Sequence, residues 1–193
     1  MNNCNDNNSN PTCGTSGAID LIEAGPIGPS GPAGSSANSV LYSSIGTTTT
    51  NTTVFTELLD TFSLPASGSG SPTLTDNGDY IELVNHFTFL DNQVDNRMII
   101  EFGAITLMNF PIHTNIQFTA VVTTRIYRIS DASQYYTSDM TVYAYGFFMM
   151  TLHWVLANIA ADLSTATDIN IKCDASAIGN ISHKGQSITL FKI

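Results

Sequence analysis

The sequence predicts an all-β fold: an antiparallel sandwich of jelly-roll type, forming a homotrimeric head behind a short collagen-like neck and an extended N-terminal anchor. Three observations predict it. Apolar and polar residues alternate with a period of two in segment after segment beyond residue 40, turn residues separate those segments, and a run of four Gly-X-Y triplets stands just before them. Helical periodicity is nearly absent. The chain divides accordingly into an arm over 1–24, a neck over 25–36 and a head over 37–193.

Residues 1–18 are dominated by Asn, Ser, Thr and Gly, with Cys4, Pro11 and Cys13 among them. Such a composition buries too little apolar area to order itself, so the arm is expected to hold its shape only against another surface. Ile19, Leu21 and Ile22 form the short apolar cluster that would plug into that surface, or alternatively begin the trimeric neck. The neck reads Gly25-Pro26-Ile27-Gly28-Pro29-Ser30-Gly31-Pro32-Ala33-Gly34-Ser35-Ser36. Three polyproline-II chains crowd a common axis, and only a residue without Cβ fits there, which is the use of Gly25, Gly28, Gly31 and Gly34. A linker periodic by accident is the competing reading. Extended, the triplets span only about 37 Å. Another domain must therefore supply the stability of the trimer.

In the head, Val54 to Leu64 alternates and stops at Pro65, after which Gly68-Ser69-Gly70-Ser71-Pro72 reads as a loop. Asp76-Asn77-Gly78-Asp79 is a tight turn into Tyr80 to Phe89, with Ile81, Leu83, Phe87 and Phe89 on one face. Met98 to Phe102 and Ile105 to Leu107 flank Gly103 as a strand pair or a bulged strand. Gln117 to Ile129 turns Phe118, Ala120, Val122 and Ile126 inward. Tyr135 to Phe148 reads as the next strand. From Met149 to Leu163 a strand to about Leu156 followed by a loop is preferred over a short helix from Trp154. Ile169, Ile171 and Cys173 alternate with Asp168, Asn170, Lys172 and Asp174, and Ser187 to Ile193 closes the chain. The count is seven or eight strands without intervening helices, the pattern of a sandwich. Tyr143, Tyr145, Phe147 and Met149 belong to a set too large for one sandwich core, so they are assigned to the trimer interface, with a larger core as the alternative.

Composition narrows the function. Charged residues make up 11% of the chain and the net charge is -10 with six Lys and Arg, which leaves no basic stripe for phosphates. Nucleic acid and anionic membrane are excluded as partners on this ground. The three cysteines, Cys4, Cys13 and Cys173, form no C-x-x-C pair, and free thiols are expected, with bridging of Cys4 and Cys13 the alternative. No secretion signal or apolar span long enough for a membrane helix is visible.

Several segments, in this order, resemble trimeric fibre and collagen-like surface proteins of tailed phages whose heads are TNF-like or C1q-like jelly rolls. They are Leu58 to Ala66, Leu74 to Asp79, Asp95-Asn96-Arg97 before Met98 to Gly103, Asp168 to Ala175, and Ile188 to Ile193. Together they cover roughly residues 40–193. The resemblance implies three jelly rolls around an axis, the Asn-rich foot bound to the major capsid protein or another virion protein, and the head pointing outward. Having only four triplets, this chain fits a stubby head fibre or capsid decoration protein on the virion surface better than a long filament. A receptor-binding tail or baseplate tip, adhering to a host surface glycan, is the alternative.

No catalytic arrangement stands out, and no cofactor or metal is expected. His86, His113, His153 and His183 show no H-x-H or H-E-x-x-H spacing. Asp76, Asn77 and Asp79, or Asp91, Asn92, Asp95 and Asn96, carry oxygen atoms suited to calcium, but turn chemistry explains them better. Glu57, Asp60 and Glu101 show no sign of a glycosidase cleft.

Overall fold

The computed structural model describes residues 38–50, 57–90, 96–112, 116–144, 147–174 and 180–193. The apolar cluster of the arm (Ile19, Leu21, Ile22), the neck glycines Gly25, Gly28, Gly31 and Gly34, and Tyr145 lie outside these residues. Ten strands run through them: β1 (Ser39–Thr49), β2 (Glu57–Leu64), β3 (Tyr80–Phe89), β4 (Asn96–Phe102), β5 (Ile105–Ile112), β6 (Phe118–Ser130), β7 (Ser133–Ala144), β8 (Phe147–Ile159), β9 (Thr167–Asp174) and β10 (Ile181–Phe191). No helix occurs among the described residues. The strands form two antiparallel sheets, of six strands in the order β1-β10-β3-β6-β7-β8 and of four in the order β2-β9-β4-β5.

Alternation explains the core. On β3, Ile81, Leu83, Phe87 and Phe89 are fully buried, as their spacing predicts, and Asn85 follows them inward on the same face. On β6, Phe118, Ala120, Val122 and Ile126 are buried with Thr124, whose hydroxyl pairs with that of Ser138 on β7 at 2.9 Å. Ile169, Ile171 and Cys173 of β9 meet them from the smaller sheet. Burial pushes the Cys173 thiol up to about 12, which leaves it an inert apolar filler.

The strand count is ten rather than seven or eight, for identifiable reasons. Tyr135 to Phe148 is not one strand: the chain reverses between Ala144 and Phe147, which face each other across β7 and β8. β8 then runs to Ile159, three residues past the predicted end and without the helical alternative. β1 is rich in Ser and Thr and shows little alternation, so its sequence carried no clear signal. β10 begins at Ile181 rather than Ser187, because polar His183 and Gln186 occupy buried positions that alternation reserves for apolar residues. Gly103, at a φ of 59°, links β4 to β5 as a hairpin, with a bulge between Ile100 and Glu101.

Candidate interaction surface

Six strands facing four leave part of the larger sheet uncovered. β8 is the terminal strand of that sheet, and β5 ends the smaller one. The two edges touch where Phe110 of β5 meets Trp154 of β8 edge to face, with ring centroids 5.8 Å apart. Toward its start, β8 loses that cover. Phe147 is 75% exposed, Met149 52% and Met150 48%. Phe147 stands opposite Ala144, and Met150 opposite Val142, on the face of β7 that elsewhere packs into the core. The overhang thus presents an unfinished piece of interior.

The same strand lacks the usual protection of an edge. From Phe147 to Ile159 it contains no Asp, Glu, Lys or Arg. Native edges are normally blunted by inward charges, proline or short length, and a 13-residue apolar edge without them invites pairing. Of the predicted interface residues, Phe147 and Met149 lie on this strand and are exposed, Met149 beside the bulge in its pairing with β7. Tyr143 is half-buried on the opposite face of β7 from Ala144, so it is not part of one patch with Phe147. Met150 was missed; its signal was the uncharged run itself.

The outer face of the large sheet is otherwise satisfied by its own neighbours. Phe191, Tyr80, Tyr127 and Tyr135 form a row across β10, β3, β6 and β7, with centroid spacings of 4.5, 4.9 and 5.8 Å. The first two rings are stacked at 2°. Beside them Arg125 binds Glu82 at 2.7 Å and lies 3.6 Å from Asp139, which His153 contacts at 2.5 Å. The charges of this face are spent on one another.

A polar cluster occupies the other end of the sandwich. Asp60 of β2 accepts from the Tyr42 hydroxyl at 2.8 Å and the Ser44 hydroxyl at 2.7 Å, and its Oδ2 lies 3.8 Å from His183 Nδ1. His183 Nε2 is 3.1 Å from Asn85 Oδ1. Burial is the main reason His183 titrates below its ordinary value, the Asp60 carboxylate opposing it in part. Serine, histidine and carboxylate meet here, but the Ser44 hydroxyl bonds to the carboxylate. A nucleophile needs the imidazole as its base, so this arrangement builds a core rather than an acyl-transfer site.

The predicted Asp76 to Asp79 turn is present, with Gly78 at a φ of 101°. Asp79 Oδ2 accepts from the backbone N–H groups of Thr75 at 3.0 Å and Asp76 at 2.9 Å, and Lys192 Nζ sits 2.5 Å away. A lysine ammonium takes the position that a calcium ion would need. Among the described residues no group of three His, Cys, Asp or Glu converges on a metal position.

No family model matches the chain, and no curated protein does. Two solved structures align with it. One is a protein of unknown function from Shewanella oneidensis MR-1, 12% identical over 81% of this chain and 79% of that one, with a TM-score of 0.32. The other is the CBM2 module of the evolved Dit of Lactobacillus casei BL23 phage J-1, 8% identical over 67% of each chain, with a TM-score of 0.27. At these scores the fold rests on the chain's own strands and pairings.

Proposed function

We propose that this chain is a non-enzymatic structural protein of a virion surface: a trimeric head fibre or capsid decoration protein of a bacteriophage, anchored by its N-terminal arm. Its head is a jelly roll. The strand order supports that reading, because β1-β10-β3-β6 facing β2-β9-β4-β5 is the pairing of two Greek keys, with the β7–β8 hairpin added at one end. The neck supports the number three, since four Gly-X-Y triplets have no use in a single chain. The arm over 1–24 serves as the attachment to the major capsid protein or another virion protein.

The uncharged, apolar β8 edge carries the proposal. Copies bearing a net charge of -10 repel one another and associate through whatever neutral surface they own. The overhang is such a surface, and its burial supplies the stability that the short neck lacks. Phe147→Glu combined with Met150→Glu places three pairs of buried charges in the trimer. The full-length double variant is expected to sediment as a single chain at concentrations where the parent is trimeric, with its strand circular dichroism unchanged. A variant that remains trimeric removes β8 from the interface.

A further inference from the structure

Two buried glutamines in this sandwich are treated very differently by their surroundings. Gln134, fully buried, donates from Nε2 to the carbonyls of Ser130 and Ala161 at 3.2 and 3.1 Å and accepts the Ala161 N–H at 3.0 Å. Gln186 is 2% exposed, yet neither Nε2 nor Oε1 finds a partner among the described residues. Its cross-strand neighbour Asn85 is fully buried, and its Nδ2 is equally unpartnered. The other end of the Asn85 amide, Oδ1, lies 3.1 Å from His183 Nε2, so a single imidazole nitrogen serves one end of that amide and leaves the other over.

Two free donors and a free acceptor are thus brought side by side on the inward faces of β10 and β3. Buried polar atoms of native proteins are nearly always satisfied, and an amide pair like this matches the needs of water, which takes two to four polar partners. We propose that Gln186 and Asn85 form an internal hydration site, occupied by ordered water that accepts from Asn85 Nδ2 and Gln186 Nε2 and donates to Gln186 Oε1. Access is short. A hollow of about 210 Å³ over the β10 bulge is bounded by both Ser44 and Gln186. Gly185, at a φ of 146°, lets the β1 backbone come close to β10 there, since a Cβ would lie 2.5 Å from the Ser44 carbonyl oxygen. The water therefore joins β10 and β3 at the point where the bulge interrupts their direct pairing between His183 and Gly185.

A high-resolution crystal structure of the full chain tests this directly. Ordered water density within hydrogen-bonding distance of both the Gln186 and Asn85 amides is expected, and a dry interior there overturns the proposal. Gln186→Met gives an independent readout. If water bridges the amides, the substitution strands Asn85 and lowers Tm by about 2–4 °C, the size of one such interaction in a chain of this length. A higher Tm would mean that two unsatisfied atoms had merely been removed, and would overturn it as well.

Discussion

His183 and Asp79 are the two residues whose charge state the fold decides most clearly, one held neutral and the other charged, and both lose their contribution as pH falls. Burial holds His183 neutral, His86 adds to that effect, and Asp60 offsets part of it. As pH falls, the unfolded chain therefore takes up its proton first, near the ordinary histidine value of about 6.5. Stability from the neutral imidazole is full above that value and declines below it. Burial disfavours the Asp79 carboxylate, but Lys192 and the N–H groups of Asp76 and Thr75 outweigh it and hold the group below its ordinary 3.8. Its contribution persists until still lower pH. Thermal unfolding of the parent should accordingly lose Tm between about pH 7 and 5, and His183→Gln should flatten that slope. An identical slope in the variant would assign the effect to other groups. Neither role was legible in the sequence: His183 stood among four scattered histidines, and only the folding of β10 onto β3 places it beside Asn85. The Asp76 to Asp79 turn was legible because its chemistry is local, whereas its lysine comes from 113 residues away.

Strands declare themselves when their buried face is uniformly apolar. β3, β6 and β9 alternate between solvent and a greasy core, so their inward residues were readable one by one. β1 and the first half of β10 line the polar cluster instead, where Tyr42, Ser44, His183 and Gln186 satisfy the alternation without being apolar. The boundary between β7 and β8 was hidden for another reason, since both strands carry β-forming residues up to the reversal. The aromatic row shows how a sheet gains from register. Tyr80 stacks on Phe191 and leans on Tyr127, so one ring serves two cross-strand pairs. Tyr80→Ser is expected to cost about 1–3 kcal/mol in denaturant unfolding, from two aromatic pairs at roughly 0.5–1.5 kcal/mol each. A change under about 0.5 kcal/mol would show that the row is ornamental, as most surface substitutions are.

At the scale of the whole molecule, a neutral edge on an acidic chain is the feature on which the proposed trimer rests. Part of this surface was readable, because Phe147 and Met149 were recognisable as surplus to one core. The rest depended on the mismatch between six strands and four, which no local pattern encodes and which leaves Met150 exposed on the inward face, whereas Tyr143 falls on the other face by simple alternation. Each chain has a mass of 20.7 kDa. Sedimentation equilibrium of the full-length protein, followed through dilution at physiological salt, reads the assembly state directly. A mass three times 20.7 kDa that survives dilution is the result expected of a head completed by its own copies. A stable species of 20.7 kDa at every concentration would contradict it.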